Sequence, residues 1–303
     1  MNLLITGAWP DAKAHISQIE AMGHSVMFLQ MEKDELPCAP EWVEGVICNG
    51  LFLHHPITMF PNLRFIQLTS AGFDRVDMDY VRAHGIEIRN ARGVYSIPMA
   101  EFAVSGVLQL YKQARFFHDN QRAHVWEKHR GLRELFGKEV TVIGCGSVGT
   151  ECAKRFHAFG CGITGIDIMP RKDEAFDRML PLEKLDEVLP STDVMILTVP
   201  LTAETVHLFN KRRLGLLPHD AIVVNISRGK VVDEAALTDL LKEDRLMGAV
   251  LDVFESEPLQ PDSPLWDAPN LIITPHNSFV GEGNVARLNR IIMDHQHFRK
   301  CDR

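Results

Sequence analysis

The stretch Val140-Thr141-Val142-Ile143-Gly144-Cys145-Gly146-Ser147-Val148-Gly149 constrains this chain most. An apolar, β-branched run stops at a glycine turn, and a helical pattern follows at once through Phe159. A second apolar run, Ile163 to Ile166, ends on Asp167. This is strand, G-x-G-x-x-G, helix, strand, acid, and each part has a physical job. Gly144 permits the tight turn, Gly146 lets backbone approach a pyrophosphate, and Gly149 lets helix pack close to strand. The helix N-terminus, with Ser147 and Val148 in its first turn, presents open N–H groups and partial positive charge to phosphate. Asp167 stands about twenty residues on, where an acid accepts hydrogen bonds from a ribose. The pattern predicts a dinucleotide site. Asp167 favours NAD over NADP, because a carboxylate repels a 2′-phosphate, although Arg171 and Lys172 follow closely and are the groups that would hold one.

A chain of 303 residues suits two domains. Residues 1 to about 92 alternate strand and helix patterns, with strands at 3–6, 25–29, 45–48, 64–69 and 86–90 and helices at 15–22 and 78–84. Such alternation indicates a parallel sheet covered on both faces. The turn Ser70-Ala71-Gly72 follows the fourth of these strands. It suits either an anion, met by backbone N–H groups, or a plain strand-to-helix turn. Gly50-Leu51-Phe52 stands at another strand end, where Phe52 lines a pocket or fills core. A long helical pattern runs from Ser96 to Trp126, apolar nearly all round in its front half and polar in its back half. The charged segment 131–138 leads into a second alternation, with strands at 140–143, 163–167, 194–199, 221–226, 249–254 and 271–274. Helices are predicted at 149–159, 182–189, 203–208 and 234–241, and a last one at 282–298 is expected to return to the first domain.

Other partners are disfavoured. The net charge of −8 and the lack of a basic block argue against nucleic acid, and Lys211-Arg212-Arg213 reads as a solvated helix face. No apolar run reaches membrane-spanning length, and the first residues carry no signal pattern. The six cysteines show neither C-x-x-C pairing nor zinc spacing, so no metal is expected and free thiols in the cytoplasm are the simple reading.

Ligands of a doubly wound sheet sit outside the carboxyl ends of its strands. Three ionisable residues stand at such ends: Arg228, Glu257 and His276. Hydride transfer to a 2-oxo acid needs a cation to grip the carboxylate and polarise the carbonyl, which a guanidinium supplies in fork geometry. It also needs a proton donor that titrates near neutrality, which is histidine, and it gains from a carboxylate beside that histidine. Singly, each residue has a dull alternative: a surface turn, a solvated loop, a histidine satisfying a backbone carbonyl. Together, beside a dinucleotide motif, the three make a set that those single alternatives do not explain.

The same residues carry a resemblance. Asn225-Ile226-Ser227-Arg228-Gly229, followed by Val232-Asp233-Glu234-Ala235-Ala236-Leu237, resembles the arginine signature of the D-2-hydroxyacid dehydrogenases. Asp252-Val253-Phe254-Glu255-Ser256-Glu257-Pro258-Leu259 is similar to the family's glutamate signature, and Pro269-Asn270-Leu271 through Thr274-Pro275-His276 to its histidine signature. Val199-Pro200-Leu201-Thr202 and Thr205 match a motif lining the adenosine side. The resemblance implies an α/β fold of two doubly wound parallel-sheet domains, a Rossmann NAD-binding domain (95–276) inserted in a flavodoxin-like substrate domain (1–94 plus 277–303). It implies an oxidoreductase in which Arg228 binds the 2-oxo acid, Glu257 pairs with His276, and His276 is the acid/base. It further implies that Val199, Pro200, Thr205, Ile226 and Asp252 border the cofactor, with Asp252 on the nicotinamide carboxamide. The Ala71-Gly72 backbone would hold the substrate carboxylate, with Leu51 nearby, and the family is usually dimeric through the helix after Ser96. Two departures stand out: Asn277-Ser278 replace a small or apolar pair, and Cys145 fills a usually apolar slot, where packing is expected. The rivals are a dinucleotide-sensing relative of the corepressor kind and a formate- or phosphite-type dehydrogenase on the same scaffold. If Phe52 narrows the pocket, small acids such as glyoxylate, hydroxypyruvate or pyruvate are favoured.

Overall fold

The structure, a computed structural model, describes residues 1–294. The chain divides into two compact units, Met1–Tyr95 with the chain from Gly281 onward, and Ser96–Val280.

The first unit holds β1 (Asn2–Thr6), α1 (Ala12–Ala21), β2 (Ser25–Leu29), β3 (Gly45–Cys48), β4 (Phe65–Leu68), α2 (Met78–Ala83) and β5 (Glu87–Arg89). Its parallel five-stranded sheet runs β2-β1-β3-β4-β5, the flavodoxin-like order. β3 and β4 are buried at every position; β3 is an unbroken apolar run, and β4 breaks its run only at Gln67, whose amide donates to the Leu68 carbonyl. Asp77 caps α2 by accepting the N–H groups of Asp79 and Tyr80. The chain returns here as α9 (Asn284–Met293). Leu288 and Ile292 of that helix join Leu3, Ile5 and Trp9 in one core cluster. Asn289 accepts from the Trp9 indole and donates to Asp11, both at 2.7 Å, and Arg287 donates to the Val94 carbonyl. The rest of the predicted terminal helix lies outside the described residues.

The second unit opens with α3 (Ser96–Tyr111) and α4 (Ala114–Ala123). There follow β6 (Glu139–Ile143), α5 (Ser147–Ala158), β7 (Gly162–Asp167), β8 (Arg178–Pro181), α6 (Leu185–Val188), β9 (Val194–Leu197), α7 (Lys211–Leu214), β10 (Ile222–Asn225), α8 (Glu234–Lys242), β11 (Gly248–Leu251) and β12 (Leu271–Ile273). The seven-stranded parallel sheet runs β12-β11-β10-β9-β6-β7-β8. Strand order reverses at the β6–β9 neighbours, the Rossmann switch point. Pairing of Ile143 with Leu197, Asn225 with Leu251 and Leu251 with Ile273 aligns the carboxyl ends on one edge.

Four expectations are corrected. The sheet has a seventh strand, β8, a short, half-exposed edge strand ending in proline, which leaves little apolar signal. The long helix from Ser96 is two helices. Gln113 takes φ +51°, its side chain caps the Leu110 carbonyl, and the Arg133 N–H takes that of Tyr111. No helix forms at 203–208, because the Thr205 hydroxyl donates to the Pro200 carbonyl and accepts the Thr202 N–H, bonds that compete with a helix. The 182–189 segment, by contrast, is helical throughout as expected, α6 being flanked by tight 3-10 turns at Leu182–Lys184 and Leu189–Ser191. The second crossing between units falls at 280/281 rather than 276/277. The Asn277 and Ser278 N–H groups bond Asp252, which ties them to the second unit.

Candidate active site

The glycine loop is assembled as the motif requires. Gly144 sits at φ +90°, where an added Cβ would lie 3.0 Å from the Val199 backbone nitrogen and side chain. At Gly149 a Cβ would lie 2.1 Å from the Gly144 carbonyl oxygen, so only glycine lets α5 pack on β6. Gly146 differs: a Cβ there meets no protein atom within 4 Å. The fold does not need that glycine, and the space it leaves suits an approaching pyrophosphate. No side chain caps α5, so its first N–H groups stay open to an anion. Ser147 instead shares a 2.7 Å hydroxyl bond with Ser96 at the start of α3, and Val148 packs on the neighbouring core.

Asp167 closes the loop from the end of β7. Its carboxylate accepts the Cys145 N–H at 2.7 Å and the Met169 N–H at 2.9 Å. A carboxylate accepts up to about four hydrogen bonds, so capacity remains for ribose hydroxyls. The loop's open glycine, its uncapped helix and this acid fit a dinucleotide. Arg171 donates to the Cys145 carbonyl at 2.8 Å and pairs with Asp173 at 3.0 Å. Cys145 is buried, and burial first, then the Asp167 charge, pushes its thiol up to about 12. That is a packing role and not redox chemistry. The Arg212 and Arg213 side chains of the basic run both bond Asp186, a surface tie.

Arg228, Glu257 and His276 lie beyond the ends of the adjacent strands β10, β11 and β12. The glycine after the arginine shows how close the loops come: a Cβ on Gly229 would lie 1.8 Å from the Phe254 carbonyl carbon. The Arg228 guanidinium donates to the Ser227 carbonyl at 2.7 Å, and its own carbonyl accepts from Asn225 at 3.0 Å. The His276 Nδ1 stands 2.9 Å from Glu257 Oε2. Since a carboxylate only accepts, Nδ1 carries the proton, and Nε2 is not engaged by that pair. The second Glu257 oxygen accepts the Phe254 N–H at 3.0 Å. His276 takes φ +51°, a left-handed conformation that costs about 1–2 kcal/mol in a residue with a Cβ. Residues held in such strain cluster at functional sites.

Asp252 holds that strained turn. It is fully buried, and its carboxylate accepts the Thr274 hydroxyl and the Asn277 and Ser278 N–H groups at 2.6–2.9 Å. Those three bonds give Asp252 a scaffolding role, and Asn277-Ser278 take part in it through their backbone. Ile226 is also buried, in the core beneath β10, so its side chain is not offered to a ligand. Val199 packs on Gly144, while Pro200 and Thr205 form the bonded turn described above.

In the first unit the Ser70–Gly72 turn is held by its carbonyls. Ala71 accepts from the Asn90 amide, Gly72 from the Ser70 hydroxyl, Ser70 from the Ala91 N–H, and Thr69 just before it from the Tyr95 hydroxyl. The N–H groups of Ala71 and Gly72 find no acceptor among the described residues. Two open donors on a pinned turn are what an anion contact would require. Asn90 and Tyr95, which pin it, carry no sequence signal of that role. Leu51 is fully buried in the first unit's core, so its side chain meets no ligand, and Phe52 packs edge-on against Phe60. Among the described residues no cluster of metal-ligating side chains occurs, and no helix is long and apolar enough to cross a membrane.

Fold and site together define a two-unit, NAD-binding dehydrogenase architecture. A family model for the NAD-binding domain of D-isomer specific 2-hydroxyacid dehydrogenases matches residues 104–278. The glyoxylate reductase of Korarchaeum cryptofilum (strain OPF8) is 32% identical over 282 residues, spanning 88% of this chain and 84% of the relative. A D-isomer specific 2-hydroxyacid dehydrogenase family protein from Aeromonas salmonicida subsp. salmonicida A449 superposes with a TM-score of 0.82 at 27% identity, covering 99% of this chain and 97% of that one. A second family structure, from Xanthobacter autotrophicus Py2 in complex with NADPH and MES, gives a TM-score of 0.78 at 28% identity over 97% of this chain and 95% of that one. The chain belongs to the D-isomer specific 2-hydroxyacid dehydrogenase family. It is an oxidoreductase that moves hydride between NAD(P) and 2-hydroxy or 2-oxo acids.

Proposed function

We propose that the enzyme reduces a small 2-oxo acid of the glyoxylate, hydroxypyruvate or pyruvate class to its D-2-hydroxy acid, reversibly, with NAD(H). The nicotinamide, when bound, supplies or accepts the hydride at the substrate carbon. Arg228 grips the carboxylate and draws charge from the carbonyl oxygen. His276, its Nδ1 proton held by Glu257, delivers a proton from Nε2 to that oxygen, and in the reverse direction removes it. Within the first unit, the Ala71 and Gly72 N–H groups are proposed to take an anion. The observation that carries the reading is the 2.9 Å Glu257–His276 pair on a strained turn, one strand from the Gly229 contact that brings the Arg228 loop in.

NAD rather than NADP follows from Asp167, which faces a 2′-phosphate with like charge, while Asp173 occupies Arg171. The free buried thiols suit a reducing cytoplasm. A homodimer through α3 is the proposed assembly, and a light-scattering mass of one chain would contradict it.

The assignment of His276 is tested by His276→Ala. Acid/base catalysis is worth about 10²–10⁴-fold, so turnover should fall on that order. NADH affinity, read by fluorescence titration, should hold. Wild-type turnover in the variant would remove His276 from the mechanism.

A further inference from the structure

Behind Glu257 lies a group of side chains that the roles above leave unused. The Glu255 N–H donates to Glu234 Oε1 at 2.5 Å, and the Glu234 N–H donates back to Glu255 Oε1 at 3.1 Å. Each glutamate thus accepts the other's backbone proton. This reciprocal clasp joins the first residue of α8 to the loop after β11. His207 Nε2 stands 3.2 Å from the same Glu255 oxygen, and His207 is itself held at φ +47°, its N–H on the Lys230 carbonyl.

The loop between Phe254 and Glu257 is therefore fixed at two successive peptide groups. The Phe254 N–H is taken by Glu257 and the Glu255 N–H by Glu234. Glu257 has one oxygen on that loop and the other on His276, so its reach to the imidazole depends on where the loop stands. Glu234 is half-buried. Burial raises its carboxyl's proton affinity first and the charges of Glu255 and Glu257 add to this, whereas its bond to the Glu255 N–H and His207 oppose it. A carboxyl kept in such company is costly unless its hydrogen bonds repay it.

We propose that the Glu234–Glu255 clasp, braced by His207, is a positioning device: it sets the Phe254–Glu257 loop so that Glu257 can orient His276. The inference rests on the acid/base reading of His276. Glu234 touches no reacting atom; it acts through Glu255 and Glu257.

The test uses the full-length enzyme and the KM-against-kcat split. Glu234→Ala removes the acceptor for the Glu255 N–H, whereas Glu234→Gln keeps one. Misplacement of a catalytic group on the ångström scale costs about 10²-fold, so Glu234→Ala is expected to lose about tenfold or more in kcat. NADH affinity and the KM for 2-oxo acid should stay within about twofold, and the kinetic isotope effect with 4-deuterated NADH should rise or stay fully expressed. Glu234→Gln should restore most of kcat. Glu255→Ala removes the acceptor of the Glu234 N–H and the His207 contact while keeping its own N–H on Glu234, so a smaller loss confined to kcat is expected, which keeps the test valid if Glu234→Ala does not fold. Unchanged kcat in both alanine variants would overturn the proposal. So would parallel loss of kcat and NADH affinity, or a glutamine variant as impaired as the alanine one. His276→Ala, run alongside, separates the two readings. If it keeps turnover, the acid/base assignment fails; if it loses turnover while the clasp variants do not, only the clasp fails.

Discussion

At the residue scale, the glycines of the nucleotide loop separate folding from binding. Gly149→Ala forces a Cβ to 2.1 Å from a backbone oxygen, a clash that backbone movement alone relieves. Overpacking of this kind costs about 1–3 kcal/mol, so its melting temperature should fall clearly in a thermal scan. Gly146→Ala meets no protein atom, and its backbone at φ −74° suits any residue, so stability should hold within about 0.5 kcal/mol. NADH affinity should nonetheless drop about tenfold or more, since only about 1.4 kcal/mol of lost approach is needed. A Gly146→Ala protein that binds NADH as wild type would deny the loop its role. The residues that hold the site, by contrast, were not all legible beforehand. Arg228, Glu257 and His276 announce themselves by chemistry at strand ends. Asp252 does not, because a buried carboxylate and a ligand-facing one look alike until its three donors are seen. Leu51 and Ile226 stand near strand ends with side chains turned into core, which leaves their backbone groups as what they can offer a ligand.

At the element scale, the strands were readable because buried parallel strands demand near-continuous apolar runs, as β3 and β9 show at every position and β4 and β10 at all but one. Edge and surface elements escape that demand. β8 carries half-exposed residues and a proline, and the α3–α4 break rests on a left-handed glutamine that composition does not mark. α3 itself is fastened where Gly106 meets Val250 of β11; a Cβ there would lie 2.8 Å from both Val250 methyl groups. Alanine favours helix over glycine by about 1 kcal/mol, but overpacking a β-branched neighbour costs about 1–3 kcal/mol. The clash should win, so Gly106→Ala is expected to lower stability by about 1 kcal/mol in denaturant unfolding. A stabilised variant would mean that α3 packs on β11 more loosely than the structure has it.

At the scale of the whole molecule, two parallel sheets of different strand order divide the work. The seven-stranded sheet gathers the glycine loop at its order reversal and the Arg228, Glu257 and His276 loops along the same carboxyl edge. The five-stranded sheet offers a pinned turn with two open donors. The chain's return as α9 closes the first unit's core. The arrangement calls for a dehydrogenase of 2-hydroxy acids, and turnover tests that claim most directly. Enzyme mixed with NADH and, separately, glyoxylate, hydroxypyruvate, pyruvate and bulkier 2-oxo acids should consume NADH one-for-one with acid. Pyruvate should give D-lactate by chiral analysis, and NADPH should serve more slowly. Bound NADH that no 2-oxo acid oxidises would point to a dinucleotide sensor, and NAD reduction by formate or phosphite alone to the other scaffold chemistry; either result would contradict the account.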